Sequence, residues 1–295
     1  MNDQPFVSII MPMYNEAAAI ASVLAHLTAV LACELPQVSY EILVVDDGSG
    51  DGSAEAVSGC ELTAVHLYQH PYNIGNGAAV KTGIRHAQGK YVLLMDADGQ
   101  HKPEDIPRLL EHIDRYDMVV GARTGESETA VHRDIANFIY NTFASYVCGR
   151  KIDDLTSGFR VIRADIAKSL VFMLPNTFSY PTTMTLAVVR SGYSLAYVSI
   201  SVKKRVGKSK IKLLRDGSRF FMILFKIATL FSPLKIFVPA SIITFLVGFG
   251  YGAYKVIFLN ARYGPTSAML MTIAGLIFLI GLVSEQVTYL RYSKE

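Results

Sequence analysis

The sequence predicts an α/β domain built on a mostly parallel sheet, followed by a basic interfacial helix and two transmembrane helices. Three observations predict it. Short apolar runs alternate with helical segments up to about Val202, a lysine- and arginine-rich stretch follows, and from Leu234 the chain of 295 residues becomes almost uniformly apolar. The boundaries fall at residues 1–210, 211–232, 233–290 and a tail of 291–295.

The first element, FVSIIMPMYNE, reads as a strand running into a polar loop. It starts almost at Met1, without the charged region, apolar core and cleavage site of a secretory signal, so it reads as structural. Ala17 to Cys33 is apolar but interrupted by Ser22, His26 and Thr28, which makes it a core helix rather than a span. EILVVDDGS is a second strand ending in acids, and GSGDGS turns the chain into a helical stretch. LTAVHLYQ is a third strand, and GNGAAV shapes the turn into the helix GAAVKTGIRHAQ. YVLLMDADG and DMVVGAR are further strands. Apolar runs bounded by turn signals and joined through helices call for a parallel sheet covered on both faces. Ligands of such sheets bind beyond the carboxyl ends of the strands, where PMYNE, DDGSGDGS, DADGQ and GAR all fall.

Ile236 to Tyr254 and Ala268 to Val283, with their flanks, are long enough to cross a hydrocarbon core of about 30 Å. Neither has a polar face, which argues against a buried hairpin of a soluble protein. Lys203, Lys204, Arg205, Lys208, Lys210, Lys212, Arg215 and Arg219 precede the first span, and Arg291 and Lys294 follow the second. The connecting NARYGPT holds only Arg262, so both ends of the hairpin are expected in the cytoplasm. Between Ile211 and Leu230, Lys212, Arg215, Arg219 and Lys226 fall within roughly 60° of a helical wheel. That pattern suits an interfacial helix with basic side chains at lipid phosphates, the alternative being a solvated stripe packed on the soluble domain. Glu285 stands about two helical turns before Arg291, and is expected to snorkel or to serve helix packing.

Composition excludes several classes. A net charge of +3 is too small to imply a nucleic-acid partner. Cys33, Cys60 and Cys148 are odd in number, scattered and without CxxC spacing, so neither a disulfide framework nor a zinc site is indicated. No GxGxxG follows the first strand, and no GxxxxGK[ST] occurs. A cluster of strand-end acids remains, and acids alone repel phosphate. A divalent cation resolves the conflict: Asp96 and Asp98 on a rigid turn, with the Gln100 amide oxygen, offer hard oxygen ligands to Mg2+ or Mn2+, which can bridge to a diphosphate. The bland alternative is a turn whose aspartates cap the next helix.

The ordered set PMYNE, VVDDGSGDGS, MDADGQH, GAR, TSGFR and RVGKSK, covering roughly residues 6 to 213, resembles glycosyltransferases of the dolichyl-phosphate mannose synthase and bacterial polyprenyl-phosphate sugar transferase type. The resemblance implies a GT-A fold, Rossmann-like and mostly parallel, with the membrane pair as a variant found in the family. It implies a nucleotide-sugar donor, a UDP- or GDP-hexose, and a polyprenyl phosphate acceptor, undecaprenyl or dolichyl. It puts Pro12, Tyr14, Glu16, Val45 and Asp47 around the nucleoside, and Asp96, Ala97, Asp98 and Gln100 around the diphosphate and metal. Arg123 and Arg133 would add positive charge. Lys204, Arg205 and Lys210 would close over the donor and receive the acceptor phosphate. The matching family stretch often reads GESK, whereas here Lys208 replaces the acid. A homotetramer is implied in the same way, while contact with membrane lipids is read from the basic interfacial helix and the two spans. Without the resemblance, Arg123 reads as a strand-end ion pair, Glu16 as a helix N-terminal acid, Tyr14 as a core aromatic and the lysines as a positive-inside signal. Asp153 and Asp154 before TSGFR either orient a basic residue, act as a base or cap a turn.

The chemistry expected of such a site is one inverting displacement. A lipid phosphate is ionised near pH 7, its second pKa being about 6, and so needs no general base. A processive polysaccharide synthase is disfavoured, since its family signature QxxRW requires tryptophan and the chain has none. A membrane-anchored transferase with a hydroxyl acceptor and a nonenzymatic nucleotide-sugar-binding scaffold are the remaining alternatives.

Overall fold

The structure, a computed structural model, describes residues 4–123, 131–177, 179–201, 225, 228–260 and 262–292, and within these the side chains of all but 131–139, 291 and 292. It forms two compact units, Met1–Thr142 with Lys151–Ser209, and Phe143–Arg150 with Lys210–Glu295.

The first unit is a seven-stranded sheet. The strands are β1 (Val7–Met13), β2 (Tyr40–Asp46), β3 (Val65–Gln69), β4 (Tyr91–Leu94), β5 (Met118–Arg123), β6 (Arg160–Arg163) and β7 (Leu195–Ile200). Their order is β3-β2-β1-β4-β6-β5-β7. All neighbouring pairs are parallel except those of β6, which runs antiparallel to both β4 and β5. β1 is buried along its whole length, as a strand covered on both faces must be. Its side chains alternate: Val7, Ile9, Met11 and Met13 join the core cluster beneath helix α1 (Ile20–Glu34), whose buried Ile20, Val23, Leu24, Leu27 and Leu31 recur at helical spacing. Ile10 points the other way, against helix α3 (Asn76–His86) at Gly83. Helix α2 (Ser53–Ser58) follows the turn after β2, and helix α4 (Ile106–Leu110) follows β4. Helix α6 (Ala164–Leu170) and helix α7 (Tyr180–Arg190) follow in the same unit, whereas helix α5 (Val131–Cys148) begins in the first unit and has its last residues in the second.

The strands read from the sequence as β1 to β5 are present. Strands β6 and β7 go beyond that reading. Because β6 is reversed, its start rather than its end lies at the carboxyl edge of β4, and it brings the TSGF residues that precede it to that edge.

In the second unit, helices α8 (Leu234–Leu259) and α9 (Pro265–Tyr292) have 26 and 28 residues. At 1.5 Å per residue they run about 39 and 42 Å, beyond a hydrocarbon core of about 30 Å. Their most apolar windows have mean hydropathies of 1.8 and 2.2. They are long and apolar enough to cross a membrane, and both extend past the segments read from the sequence. Gly281 of α9 packs against Phe237 of α8, and Gly252 of α8 against the Tyr263 ring. Leu234 N–H, in the first turn of α8, reaches Glu285 Oε2 at 3.5 Å. Lys235 Nζ donates to the carbonyls of Tyr146 at 2.7 Å and Val147 at 3.0 Å, the last turn of α5. The basic segment from Ile211 to Leu230 lies outside the described residues, apart from Phe225 and 228–230, which are helical.

Candidate functional site

The loops after β1 and β2 are fastened to each other. Asn15 N–H donates to Ser49 Oγ at 2.9 Å, Gly50 N–H to Asn15 Oδ1 at 3.0 Å, Glu16 N–H to Ser53 Oγ at 2.9 Å, Ala17 N–H to Asp51 Oδ2 at 3.1 Å and Asp47 N–H to the Met13 carbonyl at 2.9 Å. Asn15 sits at φ +55°, which asparagine tolerates better than most residues. Asp46 Oδ1 accepts from Ser49 N–H at 3.0 Å, shaping the turn. Gly48, at φ +74°, leaves room for the Tyr72 backbone, which a side chain there would strike.

Asp47 organises a third loop. Its Oδ1 lies 2.8 Å from His70 Nδ1 and accepts from Ile74 N–H at 3.0 Å, and its Oδ2 accepts from Gly75 N–H at 2.8 Å. The far ring nitrogen of His70 is 2.9 Å from Thr82 Oγ1 of α3. The loop after β3 is thereby held with Asn73 and Asn76 facing the same space as the first two loops.

That space is a crevice of about 410 Å³ lined by Pro12, Met13, Tyr14, Glu16, Asp47, Asn73, Asn76, Ala79, Asp96, Ala97, Asp98 and Gln100. Eight of the residues singled out from the sequence thus meet: Pro12, Tyr14, Glu16, Asp47, Asp96, Ala97, Asp98 and Gln100. Tyr14 is 49% exposed, so it is no core aromatic. Val45 is not in the lining. It is fully buried in β2, paired with Pro12 of β1, and backs the wall from inside the core.

Asp98 Oδ1 accepts from Gln100 N–H at 3.1 Å, closing a tight turn. Behind Asp96, its own N–H faces His101 Nδ1 at 3.3 Å, and the His101 ring stacks on Phe159 with centroids 5.0 Å apart. Gly158, just before β6, comes so close that an added Cβ would lie 3.1 Å from both Asp96 Oδ2 and the Tyr180 hydroxyl. Among the described residues no group of three His, Cys, Asp or Glu side chains could close around a cation. Asp96, Asp98 and Gln100 stand together in the crevice lining, and their carboxylate and amide oxygens are the hard donors that a cation carried with a diphosphate takes.

Arg123, at the end of β5, is engaged by Asp154. Its Nε lies 2.8 Å from Asp154 Oδ2 and an Nη 2.9 Å from Oδ1, a bidentate pair, with Thr156 Oγ1 also in reach. Asp154 Oδ1 additionally accepts from Thr156 N–H and Ser157 N–H at 3.0 and 3.1 Å. Burial alone would raise the Asp154 pKa, but the Arg123 hydrogen bonds and charge and these backbone donors hold it below the usual carboxylate range. Burial would lower that of Arg123, and Asp154, helped by the charge of Asp96, raises it instead. Of the sequence alternatives for Asp154, orienting a basic residue and capping a turn are both realised in this geometry.

Lys204, Arg205 and Lys210 lie outside the described residues, as does the side chain of Arg133, whose backbone belongs to α5. Sequence reading overlooked Asn73 and Asn76, although their place just past a parallel strand was a usable signal. It included Arg160 as the last residue of TSGFR but gave it no role, and the structure buries it on β6.

Residues 8–171 match the family Glycosyl transferase family 2, and residues 232–290 match the GtrB C-terminal hairpin. The chain is 28% identical over 269 residues to an undecaprenyl-phosphate 4-deoxy-4-formamido-L-arabinose transferase of Edwardsiella ictaluri, covering 88% of this chain and 78% of that one. A namesake from Aeromonas hydrophila is 34% identical over 57% of this chain and 52% of its own length. Among solved structures, glucosyl-3-phosphoglycerate synthase from Mycobacterium tuberculosis, in complex with Mn2+, uridine diphosphate and phosphoglyceric acid, superposes with a TM-score of 0.61 at 16% identity, covering 76% of this chain and 78% of that one. Mannosyl-3-phosphoglycerate synthase from Rubrobacter xylanophilus gives 0.60 at 21% identity, covering 76% and 73%.

Proposed function

Because the chain belongs to glycosyl transferase family 2 and so is a glycosyltransferase of GT-A fold, we propose that it moves a sugar from a nucleoside-diphosphate sugar to a polyprenyl phosphate at the cytoplasmic face of the membrane. One observation carries this reading: strand-end residues from three parallel strands line one crevice in a chain that also bears two membrane-length helices. The names of the relatives favour undecaprenyl phosphate as acceptor, and the M. tuberculosis structure with its uridine diphosphate favours a uridine donor.

In this reading Tyr14 and Pro12 hold the nucleoside, and Asn73 and Asn76 present amides to the donor. Asp96, Asp98 and the Gln100 amide would hold Mg2+ or Mn2+, whose chemistry when bound is to neutralise the negative charge of the diphosphate. An oxygen of the lipid phosphate forms a bond to the anomeric carbon while the bond from that carbon to the diphosphate breaks, its electron pair leaving with the nucleoside diphosphate. No proton moves, since the attacking oxygen is already ionised. The chain's task is alignment and charge. Lys204, Arg205 and Lys210 hold the acceptor phosphate, with Arg133 adding positive charge. Arg123 contributes from its seat on Asp154. We assign residues 1–210 to the transferase domain, 211–232 to an interfacial helix that meets lipid, and 233–290 to the membrane hairpin, with both ends cytoplasmic and a homotetramer as the working assembly.

The test is turnover by the purified full chain with UDP- and GDP-sugars and undecaprenyl phosphate, followed by mass spectrometry of the lipid. Asp98→Ala is expected to lower kcat by about 100-fold or more. Donor turnover that survives both this change and chelation would overturn the site. Product with the donor's own anomeric configuration would overturn the single displacement.

A further inference from the structure

Arg160 is the largest fully buried side chain among the described residues, at 0% exposure. A buried guanidinium is costly unless an anion answers it, yet among the described residues no carboxylate lies within ion-pair distance. Its partners are neutral: one Nη donates to the Pro181 carbonyl at 2.9 Å and to Thr185 Oγ1 at 3.0 Å, and the other to the Ser157 carbonyl. Its Nε has no hydrogen-bond partner. A conventional structural arginine would be forked onto Asp or Glu. The strand-end acids Asp154 and Asp96 act on this charge only through space, without a direct ion pair.

The register shows how. Arg160 pairs with Leu94 across the antiparallel β4–β6 ladder, so two residues further along, Asp96 stands opposite Gly158. Pro181 and Thr185 belong to the first turns of α7, and Arg160 fastens those turns to β6. Tyr180 is the first residue of α7 and is 2% exposed. Fastened in this way, its hydroxyl meets the same small space above Gly158 as Asp96 Oδ2, each 3.1 Å from the position of an added Cβ. Burial lowers the Arg160 pKa, while Tyr180 and Tyr197, and after them the charges of Asp154 and Asp96, act in the opposite sense. Burial, and then the charge of Asp96, raise that of Tyr180. Arg160 and Tyr180 therefore share the electrostatic surroundings of the first aspartate without standing in the crevice.

We propose that Arg160 is a positioning residue for Asp96: its buried, carboxylate-free cation fixes the first turn of α7 and the Tyr180 hydroxyl behind Asp96, and so sets the affinity of the crevice for a divalent cation carried with a nucleoside diphosphate. The proposal rests on the assignment of Asp96 and Asp98 to the cation. Supporting groups one step behind a ligating carboxylate typically change metal affinity by about 10- to 100-fold when lost, and a fixed charge in a dry interior is weakly screened.

The experiment uses the full chain in detergent, with Mn2+ binding followed by electron paramagnetic resonance in the presence and absence of UDP, alongside thermal unfolding and donor kinetics. Wild type is expected to bind Mn2+ with UDP, and Asp98→Ala to lose that binding. If either fails, the assignment of the cation site falls and this proposal with it. Given those results, Tyr180→Phe and Arg160→Met are expected to weaken Mn2+ binding about tenfold or more, with a fall in kcat that exceeds the change in donor KM. Arg160→Lys keeps the charge and is expected to recover part of the affinity. Should Arg160→Met not fold, Tyr180→Phe and Arg160→Lys decide. Wild-type Mn2+ affinity in Tyr180→Phe, together with wild-type affinity in whichever Arg160 variants fold, would overturn the proposal and leave Arg160 a purely structural clasp.

Discussion

Asp154→Ala tests how far the carboxyl edge of the sheet depends on one ion pair. The change removes the acceptor for two guanidinium N–H groups of Arg123, for the Arg123 backbone N–H at 3.2 Å and for two further backbone N–H groups. Exposed pairs are worth about 0–1 kcal/mol, and breaking a buried one costs about 3–5 kcal/mol. The Asp154 side chain is 9% exposed and that of Arg123 34%. The guanidinium thus recovers some solvent when its partner goes, and the expected loss is about 3 kcal/mol. For a unit of this size that is a fall in Tm of roughly 6–12 °C. Asp154→Asn keeps one acceptor and should lose less. Because the folded carboxyl titrates below its unfolded value, the stabilisation is fully present above the unfolded pKa of about 3.9 and disappears as pH falls through the lower folded value. Thermal unfolding of wild type and Asp154→Asn from pH 8 to pH 3 is expected to show a constant gap down to about pH 5 that closes below about pH 4. A gap under 1 °C at pH 7, or one that widens on acidification, would refute the reasoning.

Tyr14→Ala, at an exposed position, is expected to leave Tm unchanged and to raise donor KM roughly fivefold, equivalent to about 1 kcal/mol of lost stacking; an unchanged KM removes Tyr14 from the nucleoside site. Gly83→Ala puts a methyl group into Ile10, and chemical denaturation should register a loss of about 1–3 kcal/mol. Glu285→Ala removes the acceptor of Leu234 N–H, and the hairpin should lose about 1 kcal/mol in detergent unfolding. Glu285→Gln retains an oxygen and should lose less, and if neither variant changes unfolding or assembly, Glu285 has no part in packing.

The acids at the strand ends were legible because an apolar run that stops on carboxylates is chemically abrupt, and parallel topology then sends all such ends to one edge. Helix α1 was legible from an apolar run broken by polar residues, and α8 and α9 from length and uniform apolarity. Strand β6 was not: four residues carry too little alternation to declare a strand, and its reversal depends on pairing with β4 and β5 rather than on anything local. The burial of Arg160, the last residue of TSGFR, was hidden for a related reason, since arginine is seldom fully buried and a sequence assigns it to the surface by default. Val45 was placed near the nucleoside by its neighbours in the motif, whereas a strand covered on both faces buries it. Asp47 drew notice for its charge, but its oxygens hold the loop of Asn73 and Asn76, a role visible only once three loops are seen together.

The five hydrogen bonds between the first two loops bear on how such a protein could change over time. Loops commonly absorb added or deleted residues at little cost, but here four backbone amides of the two loops are matched to side chains of the other, and a fifth to a backbone carbonyl. One extra residue in either would throw both out of step. New substrate preferences would then have to arise by exchanging side chains on this fixed frame, or by altering the length of other parts of the rim.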